Sequence, residues 1–477
     1  MSRSITFTLL LLLLLGASPY ESVDLETARR LVRLAREAED SESLAALRSI
    51  LERAMELHPD NSQARKGLKF TLDRKTKEWR RSLDDEVAVS KWVDKDPAAG
   101  AKLVEDAREL ERWRSRRYVR LWRKQPEGKR DDKVLEALLR LTPHEPSLHE
   151  ALGHPKVGDL YVRPELVNLV RKRGTIEKRW AAVRELEFRA EPVEAPFEVP
   201  GVPNELPTLL CEGQEFVASY TDEETAKIAV GAQRSYAFVT LLLGTKVEPW
   251  APYRFCLLDS VGYRRMIYAL HDDPDEQANR LNFSSYEHED FLALQADTVD
   301  KAHDTIAHTV GYKTMQRMVA PGEDDKDRDI EAYAFMKEGF GYLVSLGMYD
   351  SATTWFHSGT ESSGKVTAPV PPPKVKTTKS CTRWLQAQAR AGKLLPLPQV
   401  FGRTLNNLDF LSSMQAWSFL KFLALYDPAG FRNFPLFLRE KEEGPYPERV
   451  AKSLDESFDT KADELEKRWR AWLVEIE

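Results

Sequence analysis

The 477-residue sequence is poor in cysteine, with only Cys211, Cys256 and Cys381, which lie far apart and form no CxxC pair. The small number and wide spacing of the cysteines exclude a disulfide framework and a thiolate zinc site, and they allow one disulfide bridge at most. The sequence also lacks an excess of charge of one sign, since 70 Lys and Arg oppose 76 Asp and Glu for a net charge of −6. A chain without a basic surplus lacks the usual electrostatic footprint of nucleic-acid binders, and we expect no nucleic-acid partner.

The one long hydrophobic run of the sequence lies near the N-terminus. Arg3 precedes an apolar stretch that contains the unbroken run Leu9–Leu15 and ends at small residues 16–18. A basic start, an apolar stretch of about 11 residues and small residues at its end are the three parts of a secretory signal. We therefore expect 1–18 to be a cleaved signal peptide. An uncleaved anchor is the alternative, because no A-x-A site is present.

The expected compartment follows from that signal. No later segment approaches the roughly 18 consecutive apolar residues that a bilayer span requires. The mature chain should therefore have no transmembrane segment and should be periplasmic, extracellular or associated with the cell envelope.

Helical spacing dominates the region 19–150. Apolar residues recur there at intervals of three and four, and strand signals are nearly absent. The segment "ERAMELHPDNSQARKGLKF" resembles the junction between two tetratricopeptide helix pairs, with Pro59–Asn61 ending one helix and starting the next. Three repeats at a fixed period are not present, so we predict a helical, tetratricopeptide-like region without claiming an array.

The remaining sequence predicts an α+β, mostly helical fold. Residues 151–208 read as a small turn and strand module followed by a proline-rich connector at 190–207. Residues 209–477 then show strand, helix, strand, helix and further helices, which favours a small mixed sheet with a helical second half. A segment near 358–380, rich in Ser, Thr, Pro and Lys, is expected to be an exposed, disordered insertion.

Two predicted helices carry the residues that point to chemistry. They are "DKAHDTIAHTVGYKTMQRM" at 300–318 and "EAYAFMKEGFGYLVS" at 331–345. Helical spacing places Asp304, His308 and Tyr312 on one stripe of the first helix. It places Glu338 and Tyr342 on one stripe of the second.

These segments resemble the gluzincin metallopeptidases of the peptidase-MA-like group, in which an HExxH helix is followed by a helix with a Glu-Gly pair. "MKEGFGYLV" is similar to the family's "LSEGLAEYV", and the flanking strands and helices across 209–477 also resemble the family's plan. The resemblance implies that two histidines and the downstream Glu bind zinc while the Glu of HExxH acts as general base. On that pattern His308 and Glu338 are the matching ligands.

The sequence departs from the family at two positions. Thr309 stands at the general-base position and cannot accept a proton from a metal-bound water near neutral pH. Tyr312 stands at the second-histidine position and is a poor zinc ligand. We therefore expect no catalytic residue and only a vestigial metal pair, His308 and Glu338. Asp304 and Tyr342 are possible neighbours that orient this pair.

Three functions remain open from the sequence. The first is a secreted, catalytically inactive peptidase-like protein, a pseudo-metallopeptidase, that binds a peptide or protein partner and needs no cofactor. The second is a zinc-dependent endopeptidase whose missing ligands come from elsewhere in the chain. The third is a helical-repeat adaptor or scaffold that acts through its N-terminal region.

Overall fold

The computed structural model describes residues 18–73, 76–193, 197–203, 206–247, 254–281, 284–319, 333–352, 374–440 and 444–477. The predicted signal peptide, apart from Ser18, and residues 358–373 of the predicted insertion lie outside the described residues. Contacts divide the chain into two units, Met1–Pro164 and Glu165–Glu477. This division falls within the segment 151–208 that the sequence predicts to be a connecting module.

The first unit is built from helices with two short hairpins. Its helices are α1 (Pro19–Asp40), α2 (Leu44–Leu57), α3 (Ser62–Gly67), α4 (Leu83–Ser90), α5 (Pro97–Lys124), α6 (Asp132–Leu141) and α7 (Pro146–Ala151), with a 3-10 turn at Glu127–Lys129. Its hairpins are antiparallel and pair β1 (Thr71–Leu72) with β2 (Trp79–Arg80) and β3 (Lys156–Val157) with β4 (Leu160–Tyr161). The helix break expected at Pro59–Asn61 is present, because the Asn61 side chain accepts hydrogen bonds from the backbone of Gln63 and Ala64 and so caps α3.

Two apolar clusters form the core of the first unit. One lies among α1, α2 and α5 and contains Leu31, Leu47 and Ile50. The other lies among α5, α6 and α7 and contains Trp122 and Leu135. The apolar residues that recur at helical spacing in the sequence are therefore the residues that hold this unit together.

The second unit opens with a helix and a six-stranded mixed sheet. Its first elements are α8 (Val167–Val183), β5 (Ala190–Pro192), β6 (Thr208–Cys211), β7 (Gln214–Ala218), α9 (Asp222–Leu243), β8 (Arg254–Leu258), α10 (Ser260–Leu270), α11 (Pro274–Arg280), β9 (Ser285–Glu287) and β10 (Phe291–Gln295). The strand order is β5-β6-β7-β8-β10-β9, with β8 parallel to β7 and to β10 and the other pairs antiparallel. Both central strands, β8 and β10, are buried along nearly all their length, which explains their almost continuous apolar sequence.

The proline-rich segment 190–207 is partly ordered structure within the second unit. Ala190–Pro192 forms the edge strand β5, where a proline is tolerated because the outer side of an edge strand makes no ladder hydrogen bonds. Val199 and Val202 are buried in the core against β7, β8 and α10. The expected extended connector is therefore attached to the sheet along part of its length.

The other regular elements described in the second unit are helices. They are α12 (Val299–Val319), α13 (Ala334–Tyr349), α14 (Thr378–Arg390), α15 (Leu397–Phe401), α16 (Phe410–Tyr426), α17 (Pro428–Glu440), α18 (Tyr446–Phe458) and α19 (Ala462–Glu475), with a 3-10 turn at Leu405–Asn407 and another at Pro164–Leu166. The predicted α+β, mostly helical class is confirmed. None of the described helices combines the length and apolar character that crossing a bilayer requires.

Candidate functional site

Helices α12 and α13 pack unusually closely because two glycines face each other. A β-carbon at Gly311 of α12 would lie 3.1 Å from the Cα of Gly341 and 2.8 Å from Val344 Cγ2. Real β-carbons essentially never show a contact of 2.8 Å, and 3.1 Å is tighter than most of their contacts, so glycine at position 311 allows the two helices to approach. The consequence is that side chains of one helix reach the backbone of the other.

His308 and Glu338 meet across this contact. The imidazole Nε2 of His308 lies 3.2 Å from Oε2 of Glu338, and each side chain is about 2% exposed or less. A β-carbon at Gly341 would lie 2.6 Å from the same Nε2, so the ring rests directly against the α13 backbone. The structure thus brings together the two residues that the sequence singles out as metal ligands.

The two flanking residues of the predicted site are also buried beside this pair. Tyr342 is set edge-on to the His308 ring, with centroids 4.7 Å apart. Burial raises the pKa of Tyr342 well above its usual value, and the charges of Glu338 and Asp304 raise it further. Tyr342 is therefore a neutral phenol at physiological pH.

Thr309 and Tyr312 occupy the two positions at which the sequence departs from the metallopeptidase pattern. The Thr309 hydroxyl donates to the backbone carbonyl of Thr305 at 2.7 Å, one turn earlier on α12. The Tyr312 ring is only partly buried, and its centroid lies 6.4 Å from that of His308. Neither side chain supplies an imidazole or a carboxylate to the His308–Glu338 pair.

Sequence reasoning missed one charged residue at this site, Lys337. Its side chain is fully buried, and its ammonium lies 5.7 Å from the centre of the Tyr312 ring. A signal was available, because α13 is apolar or small in composition on all its faces, and such a helix is buried on all sides. A lysine within it must also be buried.

Among the residues that the structure describes, His308 and Glu338 are not joined by a third zinc ligand. Two ligands of a tetrahedral zinc ion lie about 3.4 Å apart, so the 3.2 Å separation of His308 and Glu338 suits two such ligands. In the described part of the chain, however, the ligand atoms of His288, Glu289 and Asp290 form the group of three that lie within 4.8 Å of one another. That group is in another part of the fold. The pair therefore supplies two of the three protein ligands that a catalytic zinc requires.

A cavity lies near the C-terminal end of α13. A recess of about 180 Å³ is bordered by Leu343, Leu346 and Gly347 of that helix. It shares Glu177, Thr378 and Lys421 with a more polar cavity of about 520 Å³. The charged residues that line the larger cavity are Arg173, Glu177, Asp350, Lys379, Arg383, Lys421 and Glu477.

Some of these charges neutralise one another, and others face solvent. Glu477 pairs with Lys421 and, at 2.8 Å, with Arg173. Lys379 and Arg383, on consecutive turns of α14, are exposed. The accessible rim of this cavity therefore presents these two cations on α14 and one exposed carboxylate, Asp350.

No protein-family model, no curated protein and no solved structure matches this chain.

Proposed function

We propose that this chain is an exported, catalytically inactive gluzincin-like protein that binds a peptide or protein partner. The proposal combines the resemblance of 209–477 to that family with the geometry around His308. In this view the peptidase-shaped region is retained for recognition. Neither zinc nor another cofactor is required for its function.

One observation carries the inactive assignment. Beside the buried His308–Glu338 pair, the residue at the general-base position is Thr309, whose hydroxyl donates to its own helix. A hydroxyl of this kind cannot remove a proton from water at neutral pH. The histidine and carboxylate, 3.2 Å apart and pressed against Gly341, instead act as a polar contact that fixes how α12 and α13 pack.

The same region supports a binding role. Ligand sites are concave and hold a few convergent polar groups, and the cavity at the end of α13 has both properties. Because Lys379 and Arg383 are the exposed charges on its α14 side, we expect a partner segment that carries carboxylates.

The inactive assignment is tested by restoring the missing ligand. In Tyr312→His a histidine lies one helical turn from His308, at the i, i+4 spacing that chelates zinc from one helix. Zinc should then raise the melting temperature of this variant, because a ligand that binds only the folded state stabilises it by about 2.7 kcal/mol at 100 times its Kd. Tyr312→Phe, which adds no ligand, is the matched control, and neither it nor the parent should respond.

The parent protein should also fail to hydrolyse casein with zinc present. Zinc-dependent hydrolysis by the parent that disappears in His308→Ala would overturn the proposal and favour the alternative of a peptidase with non-standard ligands. If Tyr312→His folds but gains no response to zinc, position 312 does not face the His308–Glu338 pair, and the family resemblance at this site is wrong.

The binding role needs a separate measurement. Fluorescence polarisation with matched acidic and basic peptides should show binding of the acidic series. Arg383→Glu should weaken that binding by at least about tenfold, the equivalent of roughly 1.4 kcal/mol. Lys393→Glu makes the same charge change at an exposed position outside the cavity lining and should bind like the parent. Equal loss in both variants would exclude this cavity as the binding site.

A further inference from the structure

The recess bordered by α8, α13 and α16 has walls that are largely apolar. Its apolar lining side chains are those of Trp180, Ala181, Leu343, Leu346 and Trp417. Three of them, Leu343, Leu346 and Trp417, are each 2% exposed. Protein interiors are packed so closely that few voids exceed the size of a water molecule. A space of about 180 Å³ against these side chains is therefore unusually large for a packed core.

The volume and the walls of the recess suit an aromatic ring. An apolar cavity of about 150 Å³ takes up one benzene molecule, and the recess measures about 180 Å³. Trp180 and Trp417 both line it, and aromatic rings attract one another beyond the effect of the area that they bury. A ring of the size of phenylalanine therefore fits this space.

The side of the recess that α8 forms reaches the surface, and its walls are held in place. Ala181 and Arg184 are exposed, and Trp180 is half-buried. Trp180 packs edge-on against Phe238 with centroids 5.7 Å apart. The guanidinium of Arg184 donates to the carbonyl oxygen of Gly347, 3.0 Å from Nε. Because these walls are fixed before a ligand arrives, the ordering cost of binding is reduced.

The recess adjoins the larger cavity at Glu177, Thr378 and Lys421, which border both spaces. Glu177 accepts a hydrogen bond from Arg173 at 2.9 Å, and Lys421 pairs with Glu477. The two charged groups at this boundary are thus each compensated by an opposite charge. This compensation lowers the cost of placing an apolar ring beside them.

The exposed charges near this boundary are mostly positive. Lys379 directly follows Thr378 on α14, and Arg383 lies one helical turn further on. The opposing charge is that of Asp350, whose Oδ1 accepts a hydrogen bond from the backbone nitrogen of Thr378 at 2.7 Å. Among the described lining residues that are exposed, Arg184, Lys379 and Arg383 are therefore three cations beside one carboxylate.

We propose that the recess receives an aromatic side chain of the partner, and that Lys379 and Arg383 bind carboxylates next to it in the partner's sequence. An extended chain advances about 3.3 Å per residue, and one turn of α14 spans about 5.4 Å. Acidic residues one or two positions from the aromatic residue therefore match the spacing of the two cations. This inference rests on the binding role proposed above and specifies the segment that is bound.

Fluorescence polarisation with three labelled acidic peptides tests the inference. The peptides differ at one position beside two aspartates, which holds phenylalanine, leucine or alanine. The phenylalanine peptide should bind the parent at least about tenfold more tightly than the alanine peptide, since its ring leaves water for the recess. It should bind about threefold more tightly than the leucine peptide, because of its contacts with the two tryptophans.

Filling the recess provides a matched pair of variants. Ala181 lines the recess, whereas the next residue of α8, Ala182, is also exposed but lies outside the lining. In Ala181→Trp the indole occupies the space that the ring needs, so the preference for phenylalanine over alanine should fall to within about twofold. Ala182→Trp should keep the preference of the parent. Circular dichroism checks that both variants are folded, and the peptide series on the parent decides the question if either is not.

A phenylalanine peptide that binds the parent no better than the leucine or the alanine peptide would overturn the inference. An equal loss of preference in Ala182→Trp would also overturn it. If the peptides bind equally and all lose affinity in Arg383→Glu, the binding role holds and the aromatic recess is excluded. If none of them binds, the binding role itself fails. Binding that requires deletion of residues 357–373 would mean that this chain's own segment takes the partner's place, which overturns the inference as well.

Discussion

A histidine 3.2 Å from a buried carboxylate can be half of a metal site or half of a polar pair, and the neighbouring residues determine which. Around His308 the adjacent helical positions hold a threonine and a tyrosine, which supply neither a base nor an ordinary zinc ligand. In the first unit, Nδ1 of His149 in α7 lies 2.8 Å from Nδ1 of His154, which is the separation of a hydrogen bond. Neither pair is joined by a third His, Cys, Asp or Glu ligand atom within 4.8 Å in the described part of the chain.

His303, on α12 but off the His308 stripe, provides a pH prediction. Its ring packs on Tyr349 with centroids 5.0 Å apart. Burial lowers the pKa of His303 below 6.5, the negative charge of Asp300 opposes this shift, and the positive charge of Arg234 adds to it. As pH falls below 6.5 the unfolded chain binds this proton first, so stability is lost with falling pH until the folded-state pKa is passed.

His303→Gln should therefore show a smaller loss of stability between about pH 7.5 and pH 5 than the parent. Urea unfolding at both pH values measures the difference, and the other histidines contribute equally to both proteins. A loss as large in His303→Gln as in the parent would show that His303 does not titrate differently in the folded chain.

Single-residue features were predictable where they depend on helical spacing alone. The i, i+4 rule placed His308 with Tyr312, and Glu338 with Tyr342, on shared faces, and the structure has each pair within one helix. The fit of His308 against Gly341 depends on which helices meet, and helical spacing carries no information about that.

At the scale of elements, the glycines of α12 and α13 set the site's geometry. In Gly341→Ala the new methyl group would lie 2.6–2.8 Å from atoms of the His308 ring. We expect this overpacking to lower the free energy of unfolding by about 1–3 kcal/mol. An alanine in place of glycine normally raises it by up to about 1 kcal/mol inside a helix, so the expected sign is opposite.

Gly174→Ala in α8 is the matched control, because nothing lies within 4 Å of its added methyl group. Urea denaturation should show that this variant is as stable as the parent or more stable. Equal stabilisation by both substitutions would mean that α12 and α13 are not in close contact at Gly341.

Long elements were predictable and short buried strands were not. The helices predicted at 300–318 and around Glu338 correspond to α12 and α13. The first helix predicted after residue 209 corresponds to α9, which Thr221 and Glu224 begin with a capping box. Strand β10, "FLALQ", was missed although it lies inside the sheet, since a short strand buried on both faces shows no alternation of apolar and polar residues.

At the scale of the whole molecule, each unit has its own buried apolar core. The clusters around Leu31 and Trp122 belong to the first unit, and the cluster around Tyr263 belongs to the second. A unit with its own core is expected to unfold cooperatively by itself. The sequence predicted that an all-helical region is followed by a region of strands and helices. The residue at which the two units divide, near 164, depends on contacts between residues distant in sequence.

Scanning calorimetry should therefore resolve two transitions, each sensitive to one core. Leu135 of α6 and Leu420 of α16 are both fully buried, and truncating such a leucine to alanine costs about 2–5 kcal/mol. Leu135→Ala should lower the melting temperature of one transition and leave the other unchanged, and Leu420→Ala should do the reverse. A single transition shifted by both substitutions would mean that the two cores melt together and that a change in either unit alters the stability of the other.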